Sequence, residues 1–155
     1  PMSLASFQAL CREICGAPVS PAAVPDAADS GMVAVNFELA GSRIDLMYAS
    51  RRAGQTAFAI VDFGPAPARQ TEQAWRMLME ANLVMLEDWP AAFARHPGNG
   101  HALLKLPLNL AEAQAAQLLE RLVRIAQVAR DWRTGTLEGC ELGPLLEPHA
   151  MHNFA

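Results

Sequence analysis

The chain has 155 residues, enough for one domain, because two would each fall below the usual size of about 100–200 residues. Hydrophobic residues make up 52% and charged residues 18%, against typical shares of about 45–50% and about 25%, so the chain is globular and not disordered. Twelve basic against sixteen acidic residues give a net charge of −4, and Arg51-Arg52 is the only adjacent basic pair, which excludes the concentrated basic face of a nucleic-acid binder.

The longest apolar run is Ala57-Phe58-Ala59-Ile60-Val61, far short of the about 20 residues of a membrane helix. No basic region followed by an apolar stretch marks a secretion signal, and Pro1 ahead of Met2 reads as a tag remnant. Three cysteines (Cys11, Cys15, Cys140) are too few for a disulfide scaffold and fit a reducing cytoplasm. Twenty-nine alanines and a single lysine, Lys105, point to a GC-rich bacterial genome.

Leu4, Phe7, Leu10, Cys11 and Ile14 recur at helical spacing, so the first segment is expected as a helix, stopped by Gly16 and Pro18. Residues 16–31, with Pro18, Pro21 and Pro25, read as a linker. Three strands follow. Val33, Val35, Phe37 and Leu39 alternate with Met32, Ala34, Asn36 and Glu38. After the Gly41-Ser42 turn, Ile44, Leu46 and Tyr48 alternate with Arg43, Asp45 and Met47. Arg51–Gln55 makes the next turn, and Thr56–Phe63 places Phe58 and Ile60 on one face, which completes an antiparallel meander.

Gly64-Pro65-Ala66-Pro67 breaks the sheet. Thr71 is the expected N-cap of a helix from Glu72 to about Leu86, with the Glu72 charge suited to the helix dipole. Trp75, Leu78, Met79, Leu83 and Leu86 form one stripe, while Ala74, Met77, Ala81, Val84 and Met85 cover much of the remainder. A helix apolar nearly all round is covered on two sides, and the simplest second cover is another copy of the chain. Ala91–Arg95 and His101–Leu106 are short strands around the Pro97-Gly98-Asn99-Gly100 turn, with Pro107 placed at a strand end or an edge. Asn109-Leu110-Ala111-Glu112 is a capping box for a last helix whose stripe is Ala115, Leu118, Leu119, Leu122, Ile125, Ala126, Ala129 and Trp132. Gly135 closes it. The order α-β-β-β-α-β-β-α is an α+β fold, a twisted antiparallel sheet packed by helices, in one domain over residues 1–135 with a tail at 136–155.

No phosphate-binding loop, dinucleotide-binding glycine motif or nucleophile elbow is present, and no cofactor is expected. Cys11 and Cys15, one helical turn apart, suit a metal or redox pair, but two small side chains on a core-facing stripe is the simpler reading. His149 and His152 have metal-like spacing without a second ligand pair, and His96 and His101 flank a turn where solvent explains them. Asp45, Asp62 and Glu38 lie near one another on the meander, Asp45 on a solvated face. Glu80 and Asn82 interrupt the apolar helix, either fixing a partner's register or sitting at an exposed rim. Met77, Met79 and Met85 suit either an adaptable surface or packing within a fixed dimer.

The stretch Trp75-Arg76-Met77-Leu78-Met79-Glu80-Ala81-Asn82-Leu83 resembles the second helix of the class I type III secretion chaperones, the Tir-chaperone or CesT-like family, where a hydrophobic pair is followed after one residue by Ala-Asn. Ala92-Phe93-Ala94, the Pro97–Gly100 turn and Leu103–Leu110 are similar to that family's last hairpin, and the helix ending near Ala129-Arg130-Asp131-Trp132 to its final helix. The resemblance covers about residues 4–133. The linker and the tail beyond Gly135 are additions to the family pattern.

The resemblance implies a homodimer in the bacterial cytoplasm that binds the N-terminal region of a secreted effector in extended form, keeping it soluble and export-competent without nucleotide. Dimer contacts are then expected at Trp75, Met79, Asn82, Leu83 and Leu86, with the opposite stripe on the sheet or the two faces exchanged. Effector contacts are expected at Phe7, Cys11, Val35, Phe37 and Met47. Two other readings compete. A chaperone-like dimeric adaptor or regulator would bind a folded bacterial protein, and a small enzyme would need a concave polar pocket with shifted pKa values.

Overall fold

The computed structural model describes residues 3–16, 32–51, 54–88, 91–108 and 115–134, with the backbone alone at 50, 51, 54, 55, 84 and 86–88. Its elements are α1 (Leu4–Cys15), β1 (Met32–Leu39), β2 (Ser42–Arg51), β3 (Gly54–Gly64), α2 (Thr71–Asp88), β4 (Ala92–Arg95), β5 (Ala102–Leu108) and α3 (Ala115–Thr134). The expected order and the α+β class are what the chain adopts. The linker beyond Gly16, the 109–112 capping box, Gly135, and the tail with Cys140, His149 and His152 lie outside the described residues.

Local chemistry sets the element ends. Ser3 caps α1 by accepting the Ser6 N–H at 3.1 Å, and Gly16, at φ 64, donates its N–H to the Arg12 carbonyl at 2.9 Å. Ala40 at φ 49 and Gly41 at φ 76 form a two-residue hairpin loop that fixes Leu39 opposite Ser42. Thr71 is not the N-cap of α2. It is the helix's first residue, and its hydroxyl donates back to the Pro67 carbonyl at 3.0 Å, while the Gln70 carbonyl accepts the first helical bond, from the Ala74 N–H.

The strands form one antiparallel sheet in the order β1-β2-β3-β5-β4. Register places Phe37, Ile44, Val61, Leu104 and Phe93 side by side across all five strands, with Val35, Leu46, Ala59 and Leu106 in the next row. This face is the core side. Ile44, Leu46, Ala59, Val61, Leu104 and Leu106 are fully buried on it, and Phe93 meets Phe63 edge-on at 5.2 Å between centroids. Burying one such Leu or Val side chain contributes about 1.5–3 kcal/mol. The core also takes Leu118, Leu122, Ile125, Ala129 and Trp132 of α3, at helical spacing, and Phe7, Leu10 and Cys11 of α1.

The second face of the sheet carries Arg43, Asp45 and Met47 of β2, Phe58, Ile60 and Asp62 of β3, and Leu103 and Lys105 of β5. These residues are half-buried or exposed. Pro107 sits inside β5 without disrupting it, because β4 pairs with β5 only as far as Lys105. Strand alternation points the proline nitrogen to the side where β4 has ended.

Candidate functional site

The long apolar helix α2 resolves into two stripes. Ala74, Leu78, Ala81 and Met85 recur at i, i+4, i+7 and i+11 and are buried in the core. Met79 and Leu83, one turn apart on the other side, are 50% and 72% exposed. Trp75 and Met77 are half-buried against the core. Of the residues expected at a dimer contact, Met79 and Leu83 therefore present free apolar surface and Trp75 flanks them, while the Leu86 side chain lies outside the described residues. Of the three helix methionines only Met79 is exposed.

Asn82 is engaged inside the chain. Its Nδ2 donates to the Phe93 carbonyl at 3.0 Å, and its Oδ1 accepts the Phe93 N–H at 2.6 Å. The amide thus ties α2 to β4, a role that neither of the two sequence readings of this residue contained. Glu80 is exposed, as one of those readings has it.

The residues expected to meet an effector fall in three places. Val35 and Phe37 lie on the core face of β1, an edge strand, and are half-buried. Met47 lies on the second face, opposite Ala34 and Phe58. Phe7 and Cys11 are core residues at 0% exposure, and Phe7 packs on Tyr48 with ring centroids 5.6 Å apart. They offer no surface to a partner, because the apolar stripe that made them candidates is the stripe that packs α1 onto the sheet. Around Met47 the second face adds Phe58, Ile60 and Leu103, with the Lys105 ammonium 4.4 Å from the Phe58 ring centroid. Sequence alternation does not single these out, since Ala57–Phe63 is apolar on both faces.

Several of the polar candidates among the described residues have structural partners. Arg43 pairs with Asp45 at 3.1 Å, an exposed ion pair of about 0–1 kcal/mol. Asp62 accepts the Gly64 N–H at 2.8 Å at a register shift in β3, and His101 Nδ1 lies 3.1 Å from its carboxylate. His96 Nδ1 accepts the N–H groups of Gly98 at 3.0 Å and Asn99 at 3.1 Å, so it shapes the β4–β5 turn. Both histidines are therefore built into this hairpin and not merely solvated. Among the described residues no group of three or more His, Cys, Asp or Glu is placed to hold a metal, and no helix is long and apolar enough to cross a membrane.

Burial pushes the Cys11 thiol from its ordinary 9.0 up to about 12, with Cys15 adding to the rise, and burial also raises Cys15. A raised thiol pKa stabilises the fold fully below the unfolded value and loses that contribution as pH climbs toward the folded one. Stability measured by urea unfolding should therefore fall between about pH 9 and pH 12. The fall should be shallower in Cys11→Ala, and identical slopes in the two proteins would show that Cys11 is not buried as described.

Two comparisons bear on this geometry. A chain of the structure described as "Structure of the HopA1-SchA Chaperone-Effector Complex" matches with a TM-score of 0.55 at 13% identity, covering 87% of this chain and 100% of that one. At that identity the likeness is one of fold. No curated protein matches the sequence. The Tir chaperone protein (CesT) family matches residues 42–133, from the start of β2 to the last turn of α3 and more than half of the chain. With the family's hydrophobic pattern and its strand and helix order both present, this chain belongs to the Tir chaperone protein (CesT) family.

Proposed function

We propose that the chain is a type III secretion chaperone of the bacterial cytoplasm, which as a homodimer holds the N-terminal region of a secreted effector in extended form, soluble and ready for export. The observation that carries this reading is the edge of β1, which is open among the described residues. The hairpin turn pairs the Leu39 carbonyl with the Ser42 N–H, and alternation from there directs the peptide groups of Ala34, Asn36 and Glu38 away from β2. An extended segment laid along this edge gains main-chain hydrogen bonds whatever its sequence. Its side chains alternate between the faces, one set beside Val35 and Phe37, the other beside Ala34 and toward Met47. One added strand thereby serves residues on opposite faces of the sheet. The family supports the chaperone role, and the structural neighbour's fold occurs in a chaperone–effector complex. The work is binding and shielding, with no chemical step.

The dimer is placed on the outer stripe of α2, with Met79 and Leu83 at its centre and Trp75 and Leu86 at its borders. Two copies related by a two-fold axis would cover this stripe with itself. Exposure of Leu83 makes a clean test, since a charge there leaves the monomer core untouched but would be buried unpaired in the dimer. Leu83→Asp should remain folded and run at half the wild-type mass in light scattering. A folded variant of unchanged mass would remove α2 from the interface.

Capture of the protein from its native host under secretion-inducing conditions tests the client. The expected result is a stoichiometric partner whose N-terminal segment resists protease only while bound. Recovery of a folded partner with no such segment would favour the adaptor reading instead.

A further inference from the structure

The sheet has two edges, and they are not equivalent. At the β4 edge, the bond from the His96 N–H to the His101 carbonyl at 2.8 Å sets the alternation of the hairpin. Ala92 and Ala94 then face β5, and the peptide groups of Phe93 and Arg95 point outward. Those of Phe93 are both taken by the Asn82 side chain, at 2.6 Å to its N–H and 3.0 Å to its carbonyl. A side-chain amide presents an N–H donor beside a carbonyl acceptor, as a backbone residue does. Asn82 therefore makes the pair of bonds that a residue of a neighbouring strand would make.

We propose that Asn82 acts as a one-residue surrogate strand that closes the β4 edge and leaves β1 as the edge on which an extended client is received. The assignment of the client to β1 rests on the chaperone reading above, while the closure of β4 stands without it. β4 is only four residues long (Ala92–Arg95), so with Phe93 satisfied a single outward residue, Arg95, remains, too little for a ladder. β1 keeps eight residues (Met32–Leu39), with Ala34, Asn36 and Glu38 directed outward. Exposed edges invite unwanted pairing between chains, and a protein that must keep one edge open for its client gains by closing the other. Register adds specificity, because Asn82 reaches Phe93 only if α2 is seated with Leu78, Ala81 and Met85 in the core.

Removal of the amide should free the edge. Asn82→Ala is expected to form concentration-dependent species of at least twice the wild-type mass in sedimentation velocity. A second change, Arg95→Pro, deletes one of the two outward N–H groups then free on β4 and leaves the β4–β5 ladder intact, so that no two successive outward residues can pair and the double variant should return to the wild-type mass. An Asn82→Ala protein that is folded and keeps the wild-type mass would overturn the proposal, as would association that Arg95→Pro does not reverse. Native-state hydrogen exchange on the unaltered protein decides the matter even where that variant does not fold. The Phe93 amide should exchange on the order of tenfold or more slower than the Arg95 amide, and equal rates would overturn edge closure. No client enters either experiment, so failure of edge closure and failure of the chaperone reading are told apart.

Discussion

The surface features of this protein are held in place by one row of side chains that runs across the sheet. Phe37, Ile44, Val61, Leu104 and Phe93 come from five strands and stand on the same face in register. A slip of one residue in any pairing would turn that strand's apolar set to the other face, so burial of this row fixes every register at once. From it follow the outward peptide groups of β1 at one end and those of Phe93 at the other. The helices depend on the same row, α3 and α1 packing over the sheet and α2 seating Leu78 and Met85 beside β4. The surfaces proposed for partners are those that this core leaves uncovered among the described residues.

Two kinds of uncovered surface result, and they suit different partners. The outer stripe of α2 offers side chains, Met79 and Leu83, which demand a complementary apolar surface of fixed shape; in the proposed dimer a second copy of the chain would supply one. The edge of β1 offers main-chain groups, which accept any extended segment and add only loose preferences through Val35 and Phe37 on one face and Met47 on the other. In the proposed function, a specific self-contact would be combined with permissive recognition of a client. Lys105, set over Phe58 on the second face, is a cation with apolar neighbours, opposite Ile60 and two residues from Leu103.

Much of this architecture was legible in the sequence, for physical reasons. Period-2 alternation in β1 and β2 is clean because one face is apolar and the other is not, and the end of α1 follows from Gly16. The excess apolarity of α2 was visible in the sequence, but its division into one stripe buried in the core and one exposed stripe was not legible. Both sets of residues were hydrophobic, and only the geometry of packing on β4 separates Leu78 and Met85 from Met79 and Leu83. Phe7 and Cys11 failed as surface candidates for a related reason: an apolar stripe on a helix reports burial without saying what buries it. Asn82 shows the opposite limit. A polar residue on an apolar helix is visible in sequence, but its partner, the backbone of Phe93, carries no side-chain signature. In the same way Asp62 of β3 and His101, just ahead of β5, meet only because β3 and β5 pair.

The central claim is that an extended client enters as a sixth strand beside β1. Amide hydrogen exchange on the complex with the captured effector segment, read residue by residue against the free protein, tests it most directly. The account predicts that the amides of Ala34, Asn36 and Glu38 become protected on binding, in an alternating pattern, while those of β4 are unchanged. Protection that appears on β4, or that leaves the β1 amides exchanging as in the free protein, would contradict it.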